Sequence, residues 1–489
     1  MTKLNKFIIF VLLALLANEA IFAGGIVTNT NQSAAYSRML CRDASTEADA
    51  VYFNPAGLTS LPDGLFLSLS NQSIFQTRKI TNDYQFLNTK EYDGTATAPL
   101  FPSVYAGFKL GSLVLSLGFN PVGGGGGAEY SKGLPSFYLP ISDLVPALGG
   151  PANATYSTDI YFKGTSVYFG IQGGVSYKIN NMISVFAGAR YNMASNTYEG
   201  YLRNTSITTK LPTAYSGRAD LYLQGVAAKY EAAKQQFINA GLADSAAKYG
   251  RLEAETKIKA SLLGDQEADV AQSGSGITPI FGANIALLDN SLNIGIKYEM
   301  NTGLKIKNET TKDIKIGFDT QTMTYITQFP DGAESNQDIP ALLSVGASLK
   351  ITQNLSCMVG YHQFFDKDAN WDGLQDSLDG NSYEFGIGLE YSLSDKFLVS
   401  AGFLKTGNGA GNAYQTDLSY TLPSSSIAFG GKYKLMNNLD INLGFVLVNY
   451  EDGKKDNNHN VGGSGLLLPA NYTFAKSSFL FALGLDFNF

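Results

Sequence analysis

Beyond residue 63 the chain alternates. In its last stretch Phe479, Phe481, Leu483, Leu485, Phe487 and Phe489 share one face, and Leu480, Ala482, Gly484, Asp486 and Asn488 share the other. The same period of two returns over 167–179, 292–300, 383–391 and 439–447. A period of two marks strands whose two faces meet different surroundings. One face here is continuously apolar, while the other carries Lys178, Glu299, Glu384 and Asp440 within the runs. A dry sandwich core would have to desolvate those charges, whereas a lumen holding water need not. The apolar faces then require lipid, and a sheet in lipid must close on itself because an open edge has no hydrogen-bond partner there.

Six tight connections, at 109–112, 179–182, 288–291, 352–354, 393–396 and 436–438, each join two alternating runs into a hairpin. With a lone first strand (65–75) and a lone last one (478–489) they predict about fourteen strands, an even number as single-chain bacterial barrels have. The expected fold class is all-β: an antiparallel transmembrane β-barrel over 64–489, with short turns at one end and long loops at the other. The first loop is expected over 76–97, the second over 122–164, the third over 204–275 and the fourth over 309–338.

The third loop is the longest and the one with helical spacing. Leu223, Val226, Ala227, Tyr230, Ala233 and Phe237 form an apolar stripe, and the pattern breaks at Asn239-Ala240-Gly241 before resuming over 244–258. This predicts a helix pair outside the barrel. Its stripe either packs on the barrel rim or offers a groove to an apolar ligand. The second loop is expected to contain Gly123 to Gly127; no Gly-Lys-Ser/Thr follows, so the glycines read as a mobile loop and not as a phosphate cradle. In the third strand Gly118 weakens pairing and Pro121 cannot donate to the ladder, so with Asn120 they either end the strand or kink it and open the wall.

The first 63 residues do not alternate. Residues 1–23 combine Lys3 and Lys6, an apolar run over 7–17 and a small residue at Ala23, which is the pattern of a cleaved export signal. Residues 24–63 are short, polar and turn-rich. Pro55 removes a donor and biases Asn54 away from helix, Gly57 permits a tight turn, and Asn54-Pro55-Ala56 reads as a rigid corner. The segment is expected to be a compact plug.

Composition fits this picture. Charged residues are 16%, below the roughly 25% of ordinary soluble domains. There are 28 Tyr, 30 Phe and 52 Gly with a single Trp, and mean hydropathy is −0.04, as when an apolar exterior and a polar lumen average out. A net charge of −7 argues against a nucleic-acid partner. Cys41 and Cys357 cannot form a disulfide framework, and His362 and His459 cannot make a multi-histidine metal site. His362 is expected to face the lumen. No serine or asparagine arrangement makes it part of a hydrolase site, so no catalytic residue, metal or cofactor is expected.

A polar segment with Ser33-Ala34, then Asp43-Ala44-Ser45, then Asn54-Pro55-Ala56-Gly57 resembles the hatch of the FadL/TodX family, and the strand count extends the resemblance over most of the chain. That family consists of outer-membrane channels for long-chain fatty acids and other hydrophobic compounds. The resemblance implies a non-enzymatic, monomeric channel in the bacterial outer membrane. It implies contact with lipid and lipopolysaccharide, and insertion by the barrel assembly machinery through a terminal signal at Phe489. It implies capture by the third loop at Leu223, Val226, Tyr230 and Phe237, gating by the hatch at Asn54, Pro55 and Ala56, and a lateral gap at Gly118, Asn120 and Pro121. A general porin or a structural or adhesive barrel is the alternative; a plug counts against the porin.

Overall fold

The computed structural model describes residues 25–319 and 321–489, and the expected signal over 1–23 lies outside them. Fourteen antiparallel strands form a closed barrel. They are β1 (Gly64–Asn82), β2 (Glu91–Leu110), β3 (Leu113–Tyr130), β4 (Ala154–Lys178), β5 (Ile183–Thr209), β6 (Gln266–Leu287), β7 (Leu292–Glu299, resuming as Lys305–Lys312), β8 (Glu334–Asn336, resuming as Leu342–Lys350), β9 (Leu355–Phe364), β10 (Tyr383–Ser392), β11 (Phe397–Gly407), β12 (Ser424–Met436), β13 (Leu439–Tyr450) and β14 (Tyr472–Asn488). Each pairs with its sequence neighbours, and the ring closes where β1 lies antiparallel to both β2 and β14. The six hairpin turns fall where the alternation breaks.

The alternation sorts the two faces as expected. On β14, Phe479, Phe481 and Leu483 are exposed outward while Leu480 and Ala482 are buried inward. Phe385, Ile387 and Leu389 on β10, and Phe403, Ile427, Phe429 and Leu443 on the next strands, continue the outward apolar band. Such a band is stable only against lipid, at about 25 cal/mol for each Å² of apolar surface kept from water. No described helix is long and apolar enough to cross a membrane; the strands do the crossing.

Residues 25–63 fill the lumen. Two short helices, α1 (Ala34–Ser37) and α2 (Ala50–Phe53), and a 3-10 turn (Pro55–Ser60) make up the hatch. Ser33 caps α1 by accepting the Tyr36 N–H at 2.9 Å. The hatch backbone lies directly on a girdle of glycines from β7 to β14. Gly295, Gly346, Gly360 and Gly386 are aligned across four adjacent strands, Gly388 pairs with Gly402, and Gly430 pairs with Gly444. Added side chains would collide: a Cβ at Gly402 would come within 1.8 Å of the Met39 carbonyl oxygen, and one at Gly360 within 2.0 Å of Asp43 Oδ2. The glycine-rich inner face thus exists so that backbone can meet wall.

Four expectations about loops need correction. The first loop is not 76–97: β1 runs to Asn82 and β2 begins at Glu91, so 76–82 and 91–97 are paired strand. Gly123 to Gly127 are not a mobile loop: β3 continues through them to Tyr130, and β4 begins at Ala154 rather than near 164. Close approach explains the glycines, since a Cβ at Gly123 would lie 2.5 Å from the Val27 carbonyl and Gly124 has φ +91. The third loop is not alone in being helical, because the second carries α3 (Pro135–Ser142) and α4 (Leu144–Ala147). The third loop itself is shorter than 204–275, since β5 runs to Thr209 and β6 begins at Gln266. Within it stand α5 (Ala219–Asn239) and α6 (Ala243–Leu262).

Candidate functional site: a plugged lumen with an interrupted wall

The hatch is fastened to β9–β13 by charge. Arg38 pairs with Glu390 and donates through Nε to Asn442 Oδ1 at 3.0 Å. Asp43 meets His362 Nε2 at 2.6 Å, and His362 Nδ1 meets Glu384 at 2.8 Å. Glu47 meets Lys432 at 2.7 Å. Within the hatch, Arg42 holds Asp49 at 2.8 Å and Glu47 at 2.5 Å. His362 therefore faces the lumen, as its strand parity requires, and its two carboxylate partners make it a fastener.

On the β4–β7 side the hatch is held by its own carbonyls. Gln172 donates to Val51 O at 2.5 Å, Lys297 to Tyr52 O at 2.8 Å, Ser176 to Pro55 O at 2.6 Å and Ser184 to Ala56 O at 2.8 Å. These carbonyls end α2 or belong to the turn after it, where the backbone has no helical partners. Asn54 spans the corner, its Nδ2 donating to Ser45 O at 3.0 Å and to Asn284 Oδ1 at 2.9 Å. Asn54, Pro55 and Ala56 thus form the buried corner that seats the hatch on the wall.

Facing β2 and β3 the arrangement differs. The β2–β3 ladder runs from Leu110↔Leu113 to Val104↔Phe119, stops, and resumes at Thr97↔Gly127. Between those points the two strands are not paired with one another. The hatch's leading segment takes the edge that β3 presents: Asn29 N donates to Val122 O at 2.9 Å, Gly124 N to Val27 O at 3.2 Å and Gln32 Nε2 to Pro121 O at 2.8 Å. Asn120 Nδ2 donates to Gln32 Oε1 at 2.8 Å. Pro121, lacking an N–H, sits where a ladder bond is missing. It lies midway along β3, not near its end. Asn120 and Pro121 fall inside the interruption and Gly118 just beside it, where a Cβ would lie 3.0 Å from the Tyr105 ring and 3.1 Å from Val51.

At the loop end a second apolar cluster closes the mouth. It includes Tyr84, Tyr92, Tyr138, Leu139, Ile141, Tyr156, Leu223, Tyr420 and Phe474. The second loop's helices cross it and are tied at both ends. Ser136 N donates to Asp417 at 2.6 Å. Asp143 accepts from Tyr84 OH at 2.8 Å and Gly462 N at 2.7 Å, and it meets His459 Nε2 at 2.8 Å. Burial and the Asp143 carboxylate push the Tyr84 hydroxyl up, so it remains a donor.

The third-loop stripe divides. Leu223 reaches the mouth cluster, and Val226 is half-buried. Tyr230 and Phe237 instead pack on Tyr249 of α6, with ring centres 6.1 and 5.2 Å apart. Their apolar faces seal the helix pair. The residues that line the mouth, Tyr138 and Leu139 among them, carry no helical signal in the sequence, because Pro135 and Pro140 disguise α3 as a loop.

No family model matches this chain, and no curated protein matches it. Solved structures do. A Pseudomonas aeruginosa FadL homologue superposes with a TM-score of 0.62 at 13% identity, covering 95% of this chain and 100% of that one. The Pseudomonas putida toluene transporter TodX gives 0.55 at 13%, covering 90% and 94%. The Ralstonia pickettii toluene transporter TbuX gives 0.52 at 14%, again covering 90% and 94%. With its hatch, its closed ring and its helical loop, this chain has the fourteen-strand barrel fold of the FadL and TodX channels.

Proposed function

We propose that this protein is an outer-membrane channel for the passive uptake of hydrophobic molecules. The interruption of the β2–β3 ladder beside the hatch carries the reading. An apolar molecule collects on the mouth cluster and passes to the space between hatch and inner wall. It then leaves sideways into the bilayer where β2 and β3 part. Sideways exit suits such a cargo, because each methylene kept out of water is worth about 0.8 kcal/mol. A lumen filled by 25–63 does not suit a general porin. The solved neighbours, described as a FadL homologue and toluene transporters, favour the same class of cargo.

The test is the double variant Gly118→Val with Pro121→Ala, which restores a ladder donor and crowds the seam. Uptake of radiolabelled oleate and toluene should slow while the barrel stays heat-modifiable. Wild-type uptake of both by a correctly folded variant would show that exit does not use this seam.

A further inference from the structure

The two strands that part at the seam keep their outer neighbours, β2 with β1 and β3 with β4. Where they part, the hatch occupies β3 from inside the barrel, through Asn29, Gly124 and Gln32. What occupies β2 comes from the other side of the wall.

The β1–β2 ladder changes register once, between Gln72↔Phe101 and Ile74↔Ala98, so that Ser73 of β1 faces Pro99 and Leu100 of β2 together. This is a β-bulge, one extra residue that bends the strand carrying it. The buried positions of β2 change parity across it, from Tyr92, Gly94 and Ala96 to Phe101, Ser103 and Tyr105. Pro99 and Leu100 both turn outward, and Leu100 is 76% exposed. The bulge falls within 98–103, the stretch of β2 that is not paired with β3. Pro99 and Pro102 in that stretch have no N–H to offer.

A bulge facing lipid leaves backbone groups that no water can serve. Two side chains of β1 serve them. Asn71 spans the bulge: its Oδ1 accepts the Phe101 N–H at 3.0 Å, and its Nδ2 donates to Pro99 O at 3.3 Å. Ser73 Oγ donates to the same carbonyl at 2.9 Å. Both residues stand on the outward face of β1 between Leu69 and Phe75, and their ladder partners on β14 are Leu483 and Phe481. All four neighbours are exposed members of the apolar band. A polar side chain in such a band is costly unless it is hydrogen-bonded, and the bonds to the bulge offset that cost.

We propose that Asn71 and Ser73 are positioning residues for lateral exit: from the lipid side they hold the β2 bulge bowed away from β3. The proposal rests on the channel reading and adds to it the side chains that keep the opening set. Phe101 N–H and Pro99 O, while bonded to β1, are withheld from β3. The seam therefore does not zip shut when the hatch lets go of β3.

The experiment uses the full chain in lipid nanodiscs and in cells. Asn71→Leu with Ser73→Ala makes this part of β1 uniformly apolar, in keeping with Leu65 and Leu69. Uptake of radiolabelled oleate and toluene should nevertheless fall about tenfold, the change expected when one or two net hydrogen bonds are lost from the open arrangement alone. Ser73→Thr, which keeps the hydroxyl, should transport as the wild type does. Nitroxides on Leu100→Cys and Tyr191→Cys, in a Cys41→Ser, Cys357→Ser background, read the position of the bulge against β5 across the seam. Their separation should shorten in the double variant and stay unchanged in Ser73→Thr. If the double variant does not assemble, Ser73→Ala alone removes a single hydroxyl and should move both readouts in the same direction. Slower uptake at an unchanged separation would overturn the positioning role. Wild-type uptake and separation, with uptake still slowed by Gly118→Val and Pro121→Ala, would overturn it too and leave the channel standing. Wild-type uptake by both sets of variants would remove lateral exit together with the positioning role.

Discussion

His362 stands between two acids. Asp43 approaches one ring nitrogen and Glu384 the other, and all three side chains are nearly inaccessible. Removing the ring strands two carboxylates in the wall–hatch interface, and breaking a buried pair in this way costs about 3–5 kcal/mol. His362→Ala should therefore make residues 25–63 accessible to protease at lower temperature while strand content by circular dichroism is kept. A hatch as resistant as the wild type would show that the glycine girdle alone holds it. Cys41 lies inside with the hatch, and Cys357 shares the outward face of β9 with Leu355, Val359 and Tyr361. A disulfide needs Cα atoms within about 7 Å and side chains turned toward one another, so these two should stay reduced. Non-reducing mass spectrometry should find no linked peptide; finding one would mean that the β9 register is wrong.

Among the elements, the wall was legible and the decoration was not. Alternation over 383–391 or 479–489 has no competing explanation, since a one-residue slip would turn every phenylalanine into the lumen. His362 could be placed by the same parity. The partners it finds could not, because Asp43 lies 319 residues away and no local pattern encodes that distance. Glycines misled in one place: five in a row read as freedom, whereas at Gly123 and Gly124 they mark backbone packed against backbone. The helix pair α5–α6 was legible from its stripe, but whether Tyr230 and Phe237 meet a ligand or Tyr249 is a tertiary matter. The girdle gives a test at this scale. Gly402→Val would drive a side chain into the Met39 carbonyl, and overpacking of this kind costs typically about 1–3 kcal/mol or more. The strands should still assemble, since β11 keeps its ladders, while the hatch should become protease-sensitive. An unaltered hatch would mean that the contact yields.

For the whole molecule, closure depends on the last strand. Phe489 N donates to Leu65 O at 2.8 Å, and its side chain is 64% exposed at the rim. Deleting Phe489 should lower the amount of heat-modifiable barrel recovered from the outer membrane, and full recovery would show that it is no more than a lipid-facing anchor. The fastening of the hatch has a temporal side as well. Its residues precede the barrel in the sequence, but Arg38 finds Glu390 and Asn442 at separations of 352 and 404 residues. Contacts so distant cannot form until nearly the whole chain has been exported, and until then only the bonds to the early strands, such as those to Val122, Gln172 and Ser184, offset the entropy of holding the segment in place. A chain halted before β10 would leave Arg38 without Glu390 and Asn442 and His362 without Glu384, and would present 25–63 with half of its fastening missing. Periplasmic proteases would then tell a finished molecule from an unfinished one at residues 25–63, because full protection of that segment requires the last strands as well as the first.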